Sequence, residues 1–103
     1  RYDGDTRLVA GCLPVMPDGQ VLLIGSLQHT DWILPKGGWE HDETSAEAAV
    51  REAYEEAGVR GTVGAYLGMH EIVSGRGNKS RAAMFILDVT EVLDDWPEKR
   101  RRR

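Results

Sequence analysis

Between Thr44 and Gly58 the sequence carries the start and stop signals of one helix. Thr44 followed by Glu47 is a capping box, in which the threonine hydroxyl accepts from the Glu47 amide and the glutamate reaches back to the Thr44 amide. Gly58 is the residue best able to take the left-handed closing conformation, so the helix is predicted over Ser45 to Ala57. At about 100° per residue, Ala46, Ala49, Val50, Ala53 and Ala57 form one stripe, which is the predicted buried face. Its small side chains allow close approach to a sheet.

The flanking segments supply that sheet. "RLVAGCLPV" (Arg7 to Val15) and "QVLLIGSL" (Gln20 to Leu27) are apolar and joined by "MPDG", which predicts a β-hairpin. "DWILP" (Asp31 to Pro35) reads as a short strand ended by proline, and "KGGWEHDE" (Lys36 to Glu43) as a loop. Two further strands are predicted in Thr62 to Val73 and Ala82 to Val92, separated by the polar "SGRGNKSR". With 103 residues there is room for one domain, taken as 1–103. No apolar run is long enough to cross a bilayer as a helix.

The helix also gathers like charges. Glu52, Glu55 and Glu56 fall within about a 100° arc at i+3 and i+4 spacing, where each like pair costs a few tenths of a kcal/mol. A bound cation reverses that sign. A solvated acidic face is the ordinary reading of such a cluster, and Glu47, four residues before Arg51, offers that arginine an ordinary surface pair. The glycine-rich segment before the helix favours a phosphate-and-cation cradle instead. Hard oxygen ligands of this kind suit Mg²⁺, or Mn²⁺, bridging to substrate phosphates.

Charge and cysteine content narrow the remaining classes. The formal charge is −4, yet five of the 13 basic residues are Lys99 to Arg103, leaving 17 acidic against 8 basic residues in the rest. Such a body disfavours broad nucleic-acid binding. Cys12, the single cysteine, sits in an apolar strand and reads as buried rather than reactive. His29, His41 and His70 show no zinc-ligand spacing. Trp32 and Trp39 read as packing residues.

From Gly37 to Val59 the chain reads "GGWEHDETSAEAAVREAYEEAGV". This resembles the Nudix box G-x5-E-x7-R-E-U-x-E-E-x-G-U at Gly37, Glu43, Arg51, Glu52, Glu55, Glu56 and Gly58, with Ala53 and Val59 in the apolar slots. "YDGD", "RLVAGC", "VLLI", "WILPKGGWE", "EEAGVRGTVGAYLG" and "VTEVLDDWPEKRRRR" extend the resemblance to diphosphoinositol polyphosphate phosphohydrolases. The resemblance implies an α/β fold, a Nudix α/β/α sandwich with a mixed β-sheet, whose C-terminal helix is missing from this chain. It implies Mg²⁺-dependent hydrolysis of a diphosphate bond in diphosphoinositol polyphosphates, with diadenosine polyphosphates as second substrates. The alternatives are nucleotide-sugar or mRNA-cap hydrolysis, or a non-catalytic inositide- or protein-binding module such as a pathogen effector.

Roles carry over by position. Glu52, Glu56 and the Lys36 carbonyl are implied metal ligands, Glu55 the general base, and Glu43 and Arg51 a scaffold fixing loop to helix. Arg7, Lys36, Gly37, Gly38, Arg76, Lys79 and Arg81 are the implied substrate-binding residues, arginine gripping phosphate by bidentate hydrogen bonds and lysine as a point charge. Gln28 departs from the arginine the family often carries there. The implied partner is a small anionic diphosphate, with no membrane, nucleic acid only as capped RNA, and a monomeric protein. The implied compartment is cytoplasm or nucleus, with secretion left open.

Overall fold

The computed structural model describes residues 1–26, 29–73 and 76–99, without the side chains at 26 and 29–32. Gln28, the packing of Trp32, the side chain of His29 and the arginines at 100–103 lie outside the described residues.

Strand β1 (Tyr2–Asp3) turns into β2 (Thr6–Val15), which is followed by β3 (Ile24–Ser26), β4 (His29–Ile33) and β5 (Lys36–Gly38). Helix α1 (Ser45–Ala57) leads into β6 (Val59–Val73) and β7 (Lys79–Val92). The main sheet runs β1-β2-β7-β6, with β5 added to the β2 edge, and β3 and β4 form a separate pair. Among the described strands only β2 and β7 pair in parallel, so the sheet is mixed. Parallel neighbours need a crossover, and α1 lies within it.

The helix ends as the sequence dictates. Thr44 Oγ1 accepts from the Glu47 amide at 3.1 Å and the Glu47 carboxylate accepts from the Thr44 amide at 2.8 Å. Gly58 closes it with φ +67°. Its buried face shares Ala49, Ala53 and Ala57 with the predicted stripe but is rotated toward Ala48, Glu52 and Glu56. Ala48, Ala49, Glu52, Ala53, Glu56 and Ala57 are buried, while Ala46 and Val50 are half-exposed. The helix is rotated because Ala48 shares its face with Glu52 and Glu56, and those glutamates turn toward β5.

Pairing also departs from the predicted hairpin. The turn forms, with Met16 donating to Gln20 O at 2.8 Å and a bridge between Val15 and Val21, but it goes no further. Along β2 the next edge positions are already taken, since Val9, Ala10 and Gly11 pair with Gly38, Gly37 and Lys36, and Cys12 donates to Pro35 O. Residues 24–26 therefore turn away and pair with β4. The same register makes Lys36–Gly38 a strand where a loop was predicted.

Strand alternation divides the core into two faces. Ala10, Cys12, Leu87 and Val89 pack with Ala49, Ala53 and Ala57 on the helix face. Val9, Ala82 and Met84 cluster on the opposite face with Leu34. Beside them lies a cavity of about 380 Å³ lined by Leu13, Leu34, Lys36, His70, Ile72 and Met84, among others. Among the described residues, no helix is long and apolar enough to cross a membrane.

Candidate active site

The site is built where β5 passes beneath α1. Gly37 pairs with Ala10 on the helix face, and a Cβ at Gly37 would sit 2.2 Å from Glu52 Oε1. Only hydrogen fits there, so the carboxylate rests against bare backbone. One turn on, Glu56 Oε1 accepts from the Lys36 amide at 3.2 Å. Glu52 and Glu56 are 6% and 8% exposed, the two charged residues buried with the core among the described residues. An edge strand thus receives two carboxylates from one helix.

Arg51 ties the segment after β5 to the helix. Its Nε and Nη2 donate to the two oxygens of Glu43 at 3.1 and 2.6 Å, and Nη2 also donates to Gly38 O at 2.8 Å. Nη1 donates to Glu52 Oε2 at 2.7 Å and to Glu55 Oε2 at 3.4 Å. The arginine does not take the surface pair offered by Glu47, whose carboxylate is engaged by the cap. Planar fork geometry suits several oxygens at once. The Glu43 carboxyl is held below its usual value by the hydrogen bonds from Arg51. Burial pushes the Glu52 carboxyl above its usual value despite the neighbouring Arg51 charge.

The three helix carboxylates are neighbours that differ in burial, Glu52 and Glu55 sharing Arg51 Nη1. Glu52 and Glu56 are buried, whereas the Glu55 side chain is 34% exposed beside Arg51. Among the described residues, no group of three His, Cys, Asp or Glu side chains is arranged to hold a metal ion. Two near-buried carboxylates one turn apart, one of them with its pKa raised by burial, nevertheless fit a hard cation. Mg²⁺ characteristically uses one or two protein carboxylates and fills its shell with water and substrate phosphate oxygens. A closed three-ligand cage is not required for that ion.

The predicted substrate cations divide between the two faces of the sheet. Lys36 pairs with Gly11 and lines the cavity opposite the helix. Arg7 shares that face, and a Cβ on Gly38 would come within 3.0 Å of its Nη2. Arg81 alternates with Ala82 and lies on the helix face, paired with Asp3. Lys79 and Arg76 are exposed at and before the start of β7. Thus Arg81 shares a face with Glu52 and Glu56, while Arg7 and Lys36 approach the glycines from the other side.

Three contacts escaped sequence reading. Trp39 donates from Nε1 to Glu43 O at 2.8 Å and carries the Arg1 guanidinium 4.2 Å above its ring, which secures the segment entering the helix. Trp96 lies over Gly58, where a Cβ would meet the indole at 2.4 Å. No spacing rule pairs Arg1 with Trp39 or Gly58 with Trp96. Cys12 is buried, and desolvation followed by the Glu56 charge pushes its thiol up to about 12, so it is no nucleophile at neutral pH.

A NUDIX domain profile matches residues 5–100. The chain is 43% identical over 122 residues to Nudix hydrolase 16, mitochondrial, of Arabidopsis thaliana, covering 99% of this chain and 68% of that one. It is 43% identical over 93 residues to human diphosphoinositol polyphosphate phosphohydrolase 2, covering 89% of this chain and 50% of that protein. The chain therefore spans between half and about two thirds of the length of these relatives. A MutT NUDIX hydrolase structure from Burkholderia pseudomallei superposes with a TM-score of 0.78 at 22% identity, over 95% of this chain and 78% of that one, which shows the shared fold. The matched profile spans nearly the whole sequence and includes the box from Gly37 to Val59, and the chain belongs to the Nudix family.

Proposed function

We propose that this chain hydrolyses a diphosphate bond in diphosphoinositol polyphosphates with the help of Mg²⁺, diadenosine polyphosphates being second substrates. The observation that carries the reading is the burial of Glu52 and Glu56 against the backbone of Gly37 and Lys36. Burying two carboxylates of one helix face is costly unless a cation joins them. The substrate class draws support from the 43% identity to a human protein named for that activity.

In this reading Glu52 and Glu56 hold the ion, with the Lys36 carbonyl as a further ligand. A bound divalent ion lowers the pKa of an attacking water and offsets charge on the phosphoryl oxygens. Glu55, half-exposed and within reach of Arg51, would act as the general base for the attacking water. Arg51 keeps Glu55, Glu52 and the Gly38 backbone in one frame. Arg81, on the face of Glu52 and Glu56, supplies positive charge to the phosphates, with Arg7 reaching Gly38 from the opposite face and Arg76 and Lys79 before and at the start of β7 as further cations. The Lys36 side chain instead faces the cavity on the other side of the sheet.

The test is a phosphate-release panel with Mg²⁺ on diphosphoinositol pentakisphosphate, diadenosine hexaphosphate, ADP-ribose and capped RNA. Release from the inositide above all others supports the assignment. Preference for ADP-ribose or capped RNA replaces the substrate, and turnover of none favours a binding module. Glu55→Gln and Glu56→Gln are expected to abolish turnover in folded protein, and full rates in both overturn the mechanism.

A further inference from the structure

Arg81 is held by a carboxylate from the first hairpin. Asp3 pairs with Thr6, and Leu8 pairs with Arg81 across β2 and β7. By alternation Asp3, Thr6, Leu8 and Arg81 all lie on the helix face. Asp3 Oδ2 accepts from Arg81 Nη2, and the two side chains are 69% and 38% exposed. Among the described residues, Arg81 Nε is buried without a hydrogen-bond partner. The guanidinium therefore retains unused donor capacity while one edge is occupied.

This pair lies near the carboxylate site. Trp39 donates to Leu8 O at 3.2 Å, which brings the residue after Gly38 level with Leu8 and hence with Arg81. Two strand spacings, roughly 10 Å, separate Arg81 from that backbone on the face that carries Glu52 and Glu56. A diphosphate or larger anion bridges such a distance with successive phosphoryl groups. A carboxylate on a guanidinium presents two oxygens much as a phosphoryl group does.

Resting on the hydrolase reading, we propose that Asp3 is an internal competitor for the phosphoryl group at Arg81: it occupies the guanidinium in the free protein and is displaced when the substrate binds. Exchange is easy because an exposed ion pair is weak. The guanidinium stays ordered in the absence of substrate, and Asp3 raises the ligand concentration needed to engage it.

The test is calorimetric binding of inorganic tripolyphosphate to the metal-free protein in EDTA, with folding verified by circular dichroism. Asp3→Asn is expected to tighten binding roughly two- to fivefold, the range set by an exposed ion pair. The gain should vanish in Arg81→Gln, measured as Asp3→Asn/Arg81→Gln against Arg81→Gln alone. Asp5→Asn makes the same charge change in the adjacent turn and should do less. Unchanged or weaker binding by Asp3→Asn, an equal gain from Asp5→Asn, persistence of the gain without Arg81, or no measurable binding by wild type overturns the proposal. Because no turnover is read, failure of the proposed substrate leaves this result standing.

Discussion

Gly37 and Glu52 occupy one space: a Cβ on the glycine would lie 2.2 Å from one carboxylate oxygen and 2.6 Å from the other. The obstacle is the far end of a side chain, so Gly37→Ala is expected to displace Glu52 while preserving the fold. A displacement on the ångström scale in a reacting geometry costs on the order of 10²-fold in rate. Steady-state kinetics beside thermal melting checks this, and an active Gly37→Ala enzyme contradicts it.

Arg51→Lys should behave as a loss rather than a conservative change. One ammonium cannot reproduce the fork that spans Glu43, Glu52, Glu55 and Gly38 O. With charged hydrogen bonds removed from partly buried partners, a stability loss of about 1.5–3 kcal/mol is expected. Urea denaturation of both proteins measures it.

The ion-free protein should lose stability in opposite directions through two glutamates. Glu52, held above the ordinary value of 4.5, binds its proton more readily folded than unfolded, so it destabilises the fold as pH rises from there through its folded pKa. Glu43, held below that value, contributes stability above 4.5 that is lost as pH falls through its folded pKa. Melting in EDTA from pH 3 to 8 should show the upper decline shrink in Glu52→Gln and the lower one shrink in Glu43→Gln. Adding Mg²⁺ at pH 7.5 should raise the melting temperature of wild type and not of Glu52→Gln.

Gly58→Ala should destabilise the protein by at least about 1 kcal/mol, the cost of a left-handed conformation for a residue with a Cβ. The added methyl also strikes the Trp96 indole. Tryptophan fluorescence should therefore change in the folded mutant as well as the melting temperature.

Local signals were the most legible. The capping box and closing glycine placed α1 at Ser45–Ala57, because each cap is a contact within a few residues. The box spacing also brought Glu43, Arg51 and Glu52 to attention. What periodicity could not supply was the exact orientation of the helix, since the stripe of Ala46, Ala49, Val50, Ala53 and Ala57 and one containing Glu52 and Glu56 differ only in what they pack against. The burial of those glutamates follows from β5, a three-residue strand with two glycines that no propensity favours. Likewise the Pro-Asp-Gly turn formed as expected, while pairing beyond it was decided by competition for the edge of β2. Long-range choices of that kind are settled between segments rather than within them.

Strand β5 is three residues long, yet it tolerates a single alignment. A slip of one position would carry Lys36 to the face of Glu52 and Glu56, and Gly37 to the face of the cavity. Gly11 opposes Lys36 so closely that a Cβ there would meet the lysine Cβ at 2.5 Å, and Gly37 admits only Glu52. The two glycines act as a matched key, one on each strand and one for each side of the sheet. Mutation of either is therefore a change of alignment as much as of local shape, and the charge carried to each face travels with it.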